Sequence, residues 1–173
     1  LDAGGVLIDE SELERYVCEV VTDLVQAHAG SYSAQQYWAD TNEAILQFCP
    51  MTPRRVLWKH ARNDEALYER LLAQYAERMR GRPPLKLYAE MAEEVPALAA
   101  AFKLVLAGQY GSDVYGLLEK HGLADHFVNR LSQADFGITK PDPRYLTQIA
   151  RRSGVGTGEC IMVGDRIDKD VIP

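Results

Sequence analysis

Asp2, Lys140, Asp165 and Asp170 are the residues whose types and settings can do chemistry in this chain. Asp2 lies in LDAGGVLIDE at the mouth of a strand-like stretch. It is backed by Gly4 and Gly5, which lack the Cβ that keeps a ligand or metal off the backbone. Asp165 and Asp170 stand in VGDRIDKD after the apolar run CIMV; carboxylates just past a buried strand suit a hard cation or the groups that support one, with helix capping as the plainer use. Lys140 precedes a proline in ITKPDPRYL, where a lysine either meets an anion or is a solvated loop cation. Asp142, before Pro143, reads as a helix N-cap, and Asp168 as a solvated neighbour. Gly4, Gly5 and Gly164 serve tight turns as readily as ligand approach.

These residues are far apart, so the elements between them must bring them together. From Ser11 to about Gly81 the pattern is helical. Leu13, Tyr16, Val17, Val20, Val21, Leu24 and Val25 recur at spacings of three and four, and Ser11 with Glu14 forms a capping box ahead of them. That helix stops at Gly30. Ser33 with Gln36 starts a second, running to about Phe48; Thr52 and Pro53 offer an N-cap and first turn to a third; a fourth runs from about Asp64 to Arg80 and stops at Gly81. The four close into a bundle over residues 11–82, with Tyr37, Trp38, Trp58 and Tyr75 as core aromatics. Lys59, His60 and Arg62 form a short cationic cluster, read as a solvated helix face.

After GRPPLK, helices alternate with short strands at FKLVLAG, FVNRL and CIMVGD. Alternation of this kind predicts an α/β fold with a doubly wound parallel, Rossmann-like sheet over residues 1–10 and 83–173, LDAGGVLI supplying one more strand and the bundle inserted after it. Such sheets bind ligands beyond the carboxyl ends of their strands. Asp2, Ala107 with Gly108, and Asp165 all fall there.

Composition bounds the partners. The chain has 173 residues, of which 47% are hydrophobic, enough for one proper core, and its net charge of −6 lacks a basic block that would track phosphates, so no nucleic acid is expected. Cys18, Cys49 and Cys160 are odd in number, far apart and set in apolar patterns, so they read as reduced core residues of a cytoplasmic protein. No apolar run reaches the roughly 20 residues that cross a bilayer, and no basic leader opens the chain, so no membrane is expected.

In order and spacing, DAGGVL, FKLVLAG, ITKPDPRYL and IMVGDRIDKD resemble the four motifs of the haloacid dehalogenase superfamily, over the whole chain. KPDPR and VGDRIDKD point to its phosphatase-like branch, and the helical insertion is similar to that family's cap. The resemblance implies that Asp2 attacks phosphorus to form an aspartyl-phosphate and that Lys140 neutralises carboxylate and phosphoryl charge. It implies Mg²⁺ held by Asp2, the Gly4 carbonyl and Asp165, with Asp170 beside them. Substrate would meet Lys140 and the turn at Ala107, Gly108 and Gln109, through backbone N–H groups. The expected function is Mg²⁺-dependent phosphoryl transfer from a small phosphorylated metabolite chosen by the cap.

Two positions depart from that pattern. Where the family's hydrolases carry a second aspartate to protonate the leaving oxygen and activate water, this chain has Gly4; where they carry Ser or Thr to bind the phosphoryl group, it has Ala107. A general acid is worth roughly 10² to 10⁴ in rate. Two alternatives therefore stand beside the phosphatase: a catalytically silent member that binds a ligand or partner, and a dehalogenase or phosphonatase acting on a carbon–heteroatom bond. The last would need Lys59 to reach the site for an imine. Segments are expected beyond both Leu1 and Pro173, and an exposed apolar face on the cap would make a homodimer.

Overall fold

The computed structural model describes residues 1–108, 112–129 and 137–173. The chain divides into two compact units, one of residues 1–10 and 85–173, the other of residues 11–84.

The helical unit contains α1 (Ser11–Ala29), α2 (Ala34–Leu46), α3 (Thr52–Ala61) and α4 (Glu65–Met79). Its starts are written in short polar side chains. Ser33 Oγ accepts the Gln36 N–H at 3.3 Å and Asp64 Oδ1 the Leu67 N–H at 2.9 Å, each taking a donor the first helical turn leaves unpaired. Met51, not Thr52, is the N-cap of α3; it makes no side-chain cap, and Pro53 supplies the preset φ inside the first turn. Cys18, Val20, Val21, Leu24 and Val25 of α1 meet Tyr37, Val56, Leu57, Leu67 and Leu71 in one core. Trp38, expected in that core, is 40% exposed. On α2 the inward face runs Tyr37, Thr41, Ala44, a spacing of four and three, and Trp38 is one step round the helix, its ring edge-on to Tyr37 at 5.1 Å.

A polar clamp joins α2 to α3. Asp40 accepts from Lys59 Nζ at 2.7 Å and from the Tyr32 hydroxyl at 2.8 Å, and lies 2.7 Å from His60 Nε2. Lys59 also reaches Glu43 at 2.5 Å. Burial alone would raise the Asp40 carboxyl, but the hydrogen bonds from Lys59, His60 and Tyr32 outweigh it and hold it below the ordinary carboxylate range.

In the other unit the first strand differs from expectation. β1 is only Ile8–Asp9, and it pairs antiparallel with β2 (Lys86–Leu87), because residues 3–8 turn back on themselves: Ala3 accepts from the Leu7 and Ile8 N–H groups at 2.9 Å. The parallel character lies before that turn. The Leu1 nitrogen donates to Val105 and the Leu1 carbonyl accepts from the Ala107 N–H, both at 2.7 Å, the slanted pattern of a parallel pair. On the other side the Asp2 N–H donates to Val163 at 2.8 Å. β3 (Leu104–Val105) pairs parallel with β4 (Phe127–Asn129). Leu1–Asp2 thus lies between the segments ending at Ala107 and at Val163.

Around this order stand α5 (Met91–Ala101), α6 (Ser112–Lys120) and α7 (Pro143–Arg152), the last capped by Asp142 at 2.9 Å from the Arg144 N–H. Ala3, Leu7, Ile8, Val95, Leu106, Val114, Leu118 and Phe127 form one core, and Ala107, Tyr145 and Ile149 a second, smaller one. Cys18 alone of the cysteines is buried; Cys160 is exposed. The apolar run containing Cys160 read as a buried strand, yet Ile161 is 77% exposed while its neighbour Met162 packs on the smaller core. Among the described residues no helix is long and apolar enough to cross a membrane.

The Asp40 clamp sets a pH dependence. A carboxyl depressed in the folded state stabilises above its unfolded pKa of about 3.9 and loses that contribution as pH falls through the folded value. Asp40→Asn should lower the stability of the helical unit by roughly 1–3 kcal/mol near neutral pH. Thermal melts from pH 7 to pH 2 should show the variant's deficit shrinking at the acid end, and a constant deficit would separate the clamp from the charge of Asp40.

Candidate active site

The carboxyl-end positions do converge. Asp2, one residue past the Leu1 pairing, points its Oδ2 at Lys140 Nζ, 2.9 Å away, and Lys140 also contacts Asp170 Oδ1 at 2.5 Å. The Lys140 side chain is 1% exposed, so its charge is taken from water and must be met by these two acids. Asp2 Oδ1 accepts the Ala3 N–H at 2.8 Å, and Asp170 Oδ2 the Arg166 N–H at 3.1 Å. Burial pushes the Asp2 carboxyl above its ordinary range, with the Lys140 ammonium pulling against it.

Asp165 completes the group. Carboxylate oxygens of Asp2, Asp165 and Asp170 lie within 4.8 Å of one another, two of the acids buried and Asp165 exposed. All three offer hard oxygen donors, and with one ammonium among them the set retains an excess of two negative charges, which fits a divalent hard cation. Asp165 precedes a single π turn, Ile167–Val171, and Asp170 lies within that turn, which carries it inward. Asp168 is a correction: it is 5% exposed, not solvated, because the Arg166 guanidinium forks onto it at 2.8 and 2.9 Å. That pair fixes the turn that aims the Asp170 carboxylate. An Asp two residues from an Arg was the available signal, and it does not distinguish a buried fork from a surface contact.

Glycines let the backbones come this close. A Cβ on Gly108 would stand 2.8 Å from the Ala3 Cβ and 3.3 Å from Asp2 Oδ1, and one on Gly164 would strike the Asp170 carboxyl. Gly5 adopts φ +64° with Asp165 packed over it. The fully buried Tyr145 donates its hydroxyl to the Gly108 carbonyl at 2.9 Å, tying α7 to the turn after β3. The sequence pattern marks Tyr145 and Ile149 as an inward pair on α7 but carries nothing about that hydroxyl's target.

The structure therefore brings together Asp2, Lys140, Asp165, Asp170 and Gly108. Ala107 is adjacent, buried against Tyr145 and Ile149 and without a hydroxyl. Gly4 lies in the turn after Asp2. Gln109 lies outside the described residues. Lys59 belongs to the helical unit, where Asp40 and Glu43 raise its pKa and oppose the neutral amine an imine requires.

A family model described as haloacid dehalogenase-like hydrolase matches residues 1–173. A phosphoglycolate phosphatase of Mesorhizobium japonicum is 26% identical over 163 residues, covering 89% of this chain and 72% of that protein. A phosphoserine phosphatase of Thermus thermophilus is 46% identical over 50 residues, 29% of this chain and 20% of that one. Among solved structures, a 2-haloacid dehalogenase from Pseudomonas syringae pv. Tomato DC3000 superposes with a TM-score of 0.58 at 21% identity, covering 98% of this chain and 78% of that one, a likeness of fold.

The buried ion cluster predicts its own weak point. Lys140→Met keeps the stem but leaves Asp2 and Asp170 buried without their cation, and should cost roughly 3–5 kcal/mol of stability. Chemical denaturation at neutral pH measures it. An unchanged midpoint would mean that the two acids do not depend on Lys140.

Proposed function

The chain belongs to the haloacid dehalogenase-like hydrolases, and we propose that within them it is a Mg²⁺-dependent phosphatase of small phosphorylated metabolites, working through an aspartyl-phosphate on Asp2. The observation that carries this reading is the Asp2 carboxylate set against Lys140 and grouped with Asp165 and Asp170. An attacking carboxylate approaching a phosphoryl group faces charge repulsion, and a buried ammonium beside it offsets that charge as it is redistributed.

Asp2, Asp165 and Asp170 are the residues that would hold Mg²⁺, which when bound shields phosphoryl oxygens from the carboxylates. Lys140 pulls against the burial that raises the Asp2 carboxyl and orients it through the 2.9 Å contact. The Ala3 N–H, 2.8 Å away, holds the Asp2 Oδ1. The absence of a hydroxyl at Ala107 leaves the phosphoryl group to backbone donors and to Lys140. Phosphoglycolate and phosphoserine, the substrates in the names of two relatives, are both small phosphomonoesters and support the same class here. In this reading the helical unit, which interrupts the other unit in sequence after Glu10, is the cap that selects among them.

A panel of phosphomonoesters assayed with and without Mg²⁺ tests the proposal. Turnover should require the metal and disappear in Asp2→Asn. Asp165→Asn should weaken Mg²⁺ binding by about tenfold or more in calorimetry, since it removes a charged oxygen from a cation that prefers carboxylates. Equal Mg²⁺ affinity in both proteins would remove Asp165 from the metal set, and metal-independent dehalogenation with no phosphatase activity would replace the reading altogether.

A further inference from the structure

We propose that Glu10 is the acid–base catalyst of this site, its carboxyl occupying the space left open by Gly4. The proposal rests on the reading of Asp2 as the attacking group. Cleaving an alkyl phosphate needs a proton for the departing oxygen, and hydrolysing the aspartyl-phosphate needs a base to take one from water. The carboxylates already placed are committed elsewhere. Asp170 is held by Lys140 and the Arg166 N–H, and Asp168 by the Arg166 fork. Asp2 is itself the group that bonds to phosphorus, and Asp165 belongs to the cation-binding set.

Glu10 stands where a side chain at position 4 would be. A Cβ built on Gly4 would fall on Oε2 of Glu10, with Oε1 3.0 Å away. The Glu10 carboxyl therefore fills the room that any side chain two residues past Asp2 would enter. The fold brings it there. Leu7 and Ile8 both donate to the Ala3 carbonyl, and Gly5, at φ +64°, donates to the Ile8 carbonyl at 3.0 Å, so the chain reverses directly after the nucleophile. Pairing of Asp9 with Lys86 then fixes the direction in which residue 10 leaves the turn. Glu10 is half-buried there. A larger residue at position 4 would expel its carboxyl, so the glycine and the glutamate form one device.

The steps balance. An Asp2 oxygen bonds to phosphorus as the bond from phosphorus to the ester oxygen breaks; its electron pair stays on that oxygen, which takes the Glu10 proton and leaves as the alcohol. Water then bonds to phosphorus and gives one proton to the Glu10 carboxylate. The phosphorus–Asp2 bond breaks with its pair returning to the carboxylate, and inorganic phosphate departs.

Glu10→Gln and Glu10→Ala, with Mg²⁺, are the variants to compare with wild type. An aryl phosphate, whose leaving group needs no acid, should give a burst of about one equivalent and then stall, while an alkyl phosphate should slow by roughly 10²- to 10⁴-fold with no burst. Acetyl phosphate should leave a single phosphoryl adduct on either variant, seen by intact mass, that wild type clears. A purely structural role for Glu10 predicts instead equal losses on both ester classes with no adduct, and that result, or wild-type rates in both variants, overturns the proposal. If wild type itself shows neither phosphatase turnover nor an Asp2-dependent adduct, the reading of the site fails and this proposal goes with it.

Discussion

The buried ammonium of Lys140 is the constraint on which the rest of this structure depends. A lysine with 1% of its side chain exposed has given up hydration worth far more than one hydrogen bond, and the carboxylates that face it offset that loss. Asp2 and Asp170 come from opposite ends of the chain, so the fold has to carry both ends to one loop. It does this by laying Leu1 and Asp2 between the segments that end at Ala107 and Val163. The cluster is thus part of the reason the unit folds as it does.

Close approach follows from the same constraint. Carboxylates within 4.8 Å of one another need backbones nearer than side-chain-bearing residues allow, and Gly5, Gly108 and Gly164 stand where a Cβ would meet Asp165, Ala3 or Asp170. The Arg166–Asp168 fork and the Tyr145 hydroxyl then hold the resulting turns. Each is a polar contact spent on positioning, because a like-charged cluster left to itself would spread.

Much of this was legible in the sequence, and the reason differs from element to element. Ser33, Asp64 and Asp142 announced helix starts because capping is a local interaction between a short side chain and its own next turn. Asp2, Lys140, Asp165 and Asp170 were readable because their motifs have fixed order and spacing. What escaped was set by tertiary surroundings. Trp38 and Cys160 lie in apolar patterns whose inward side is decided by neighbours far along the chain, and the antiparallel β1–β2 pair arises from a turn whose bonds return to two carbonyls, those of Ala3 and Ile8. Asp168 looked solvated because burial of a charge depends on whether its partner is buried with it.

The two units also differ in what stabilises them. The helical unit closes its own apolar core and carries its own polar clamp at Asp40, neither of which draws on residues of the other unit. Lys140, Asp2, Asp165 and Asp170, conversely, all belong to the unit of residues 1–10 and 85–173. The two sets of contacts share no residue, and groups without shared partners contribute nearly independently. An altered core or clamp in the helical unit thus leaves the pairing of Lys140 with Asp2 and Asp170 intact.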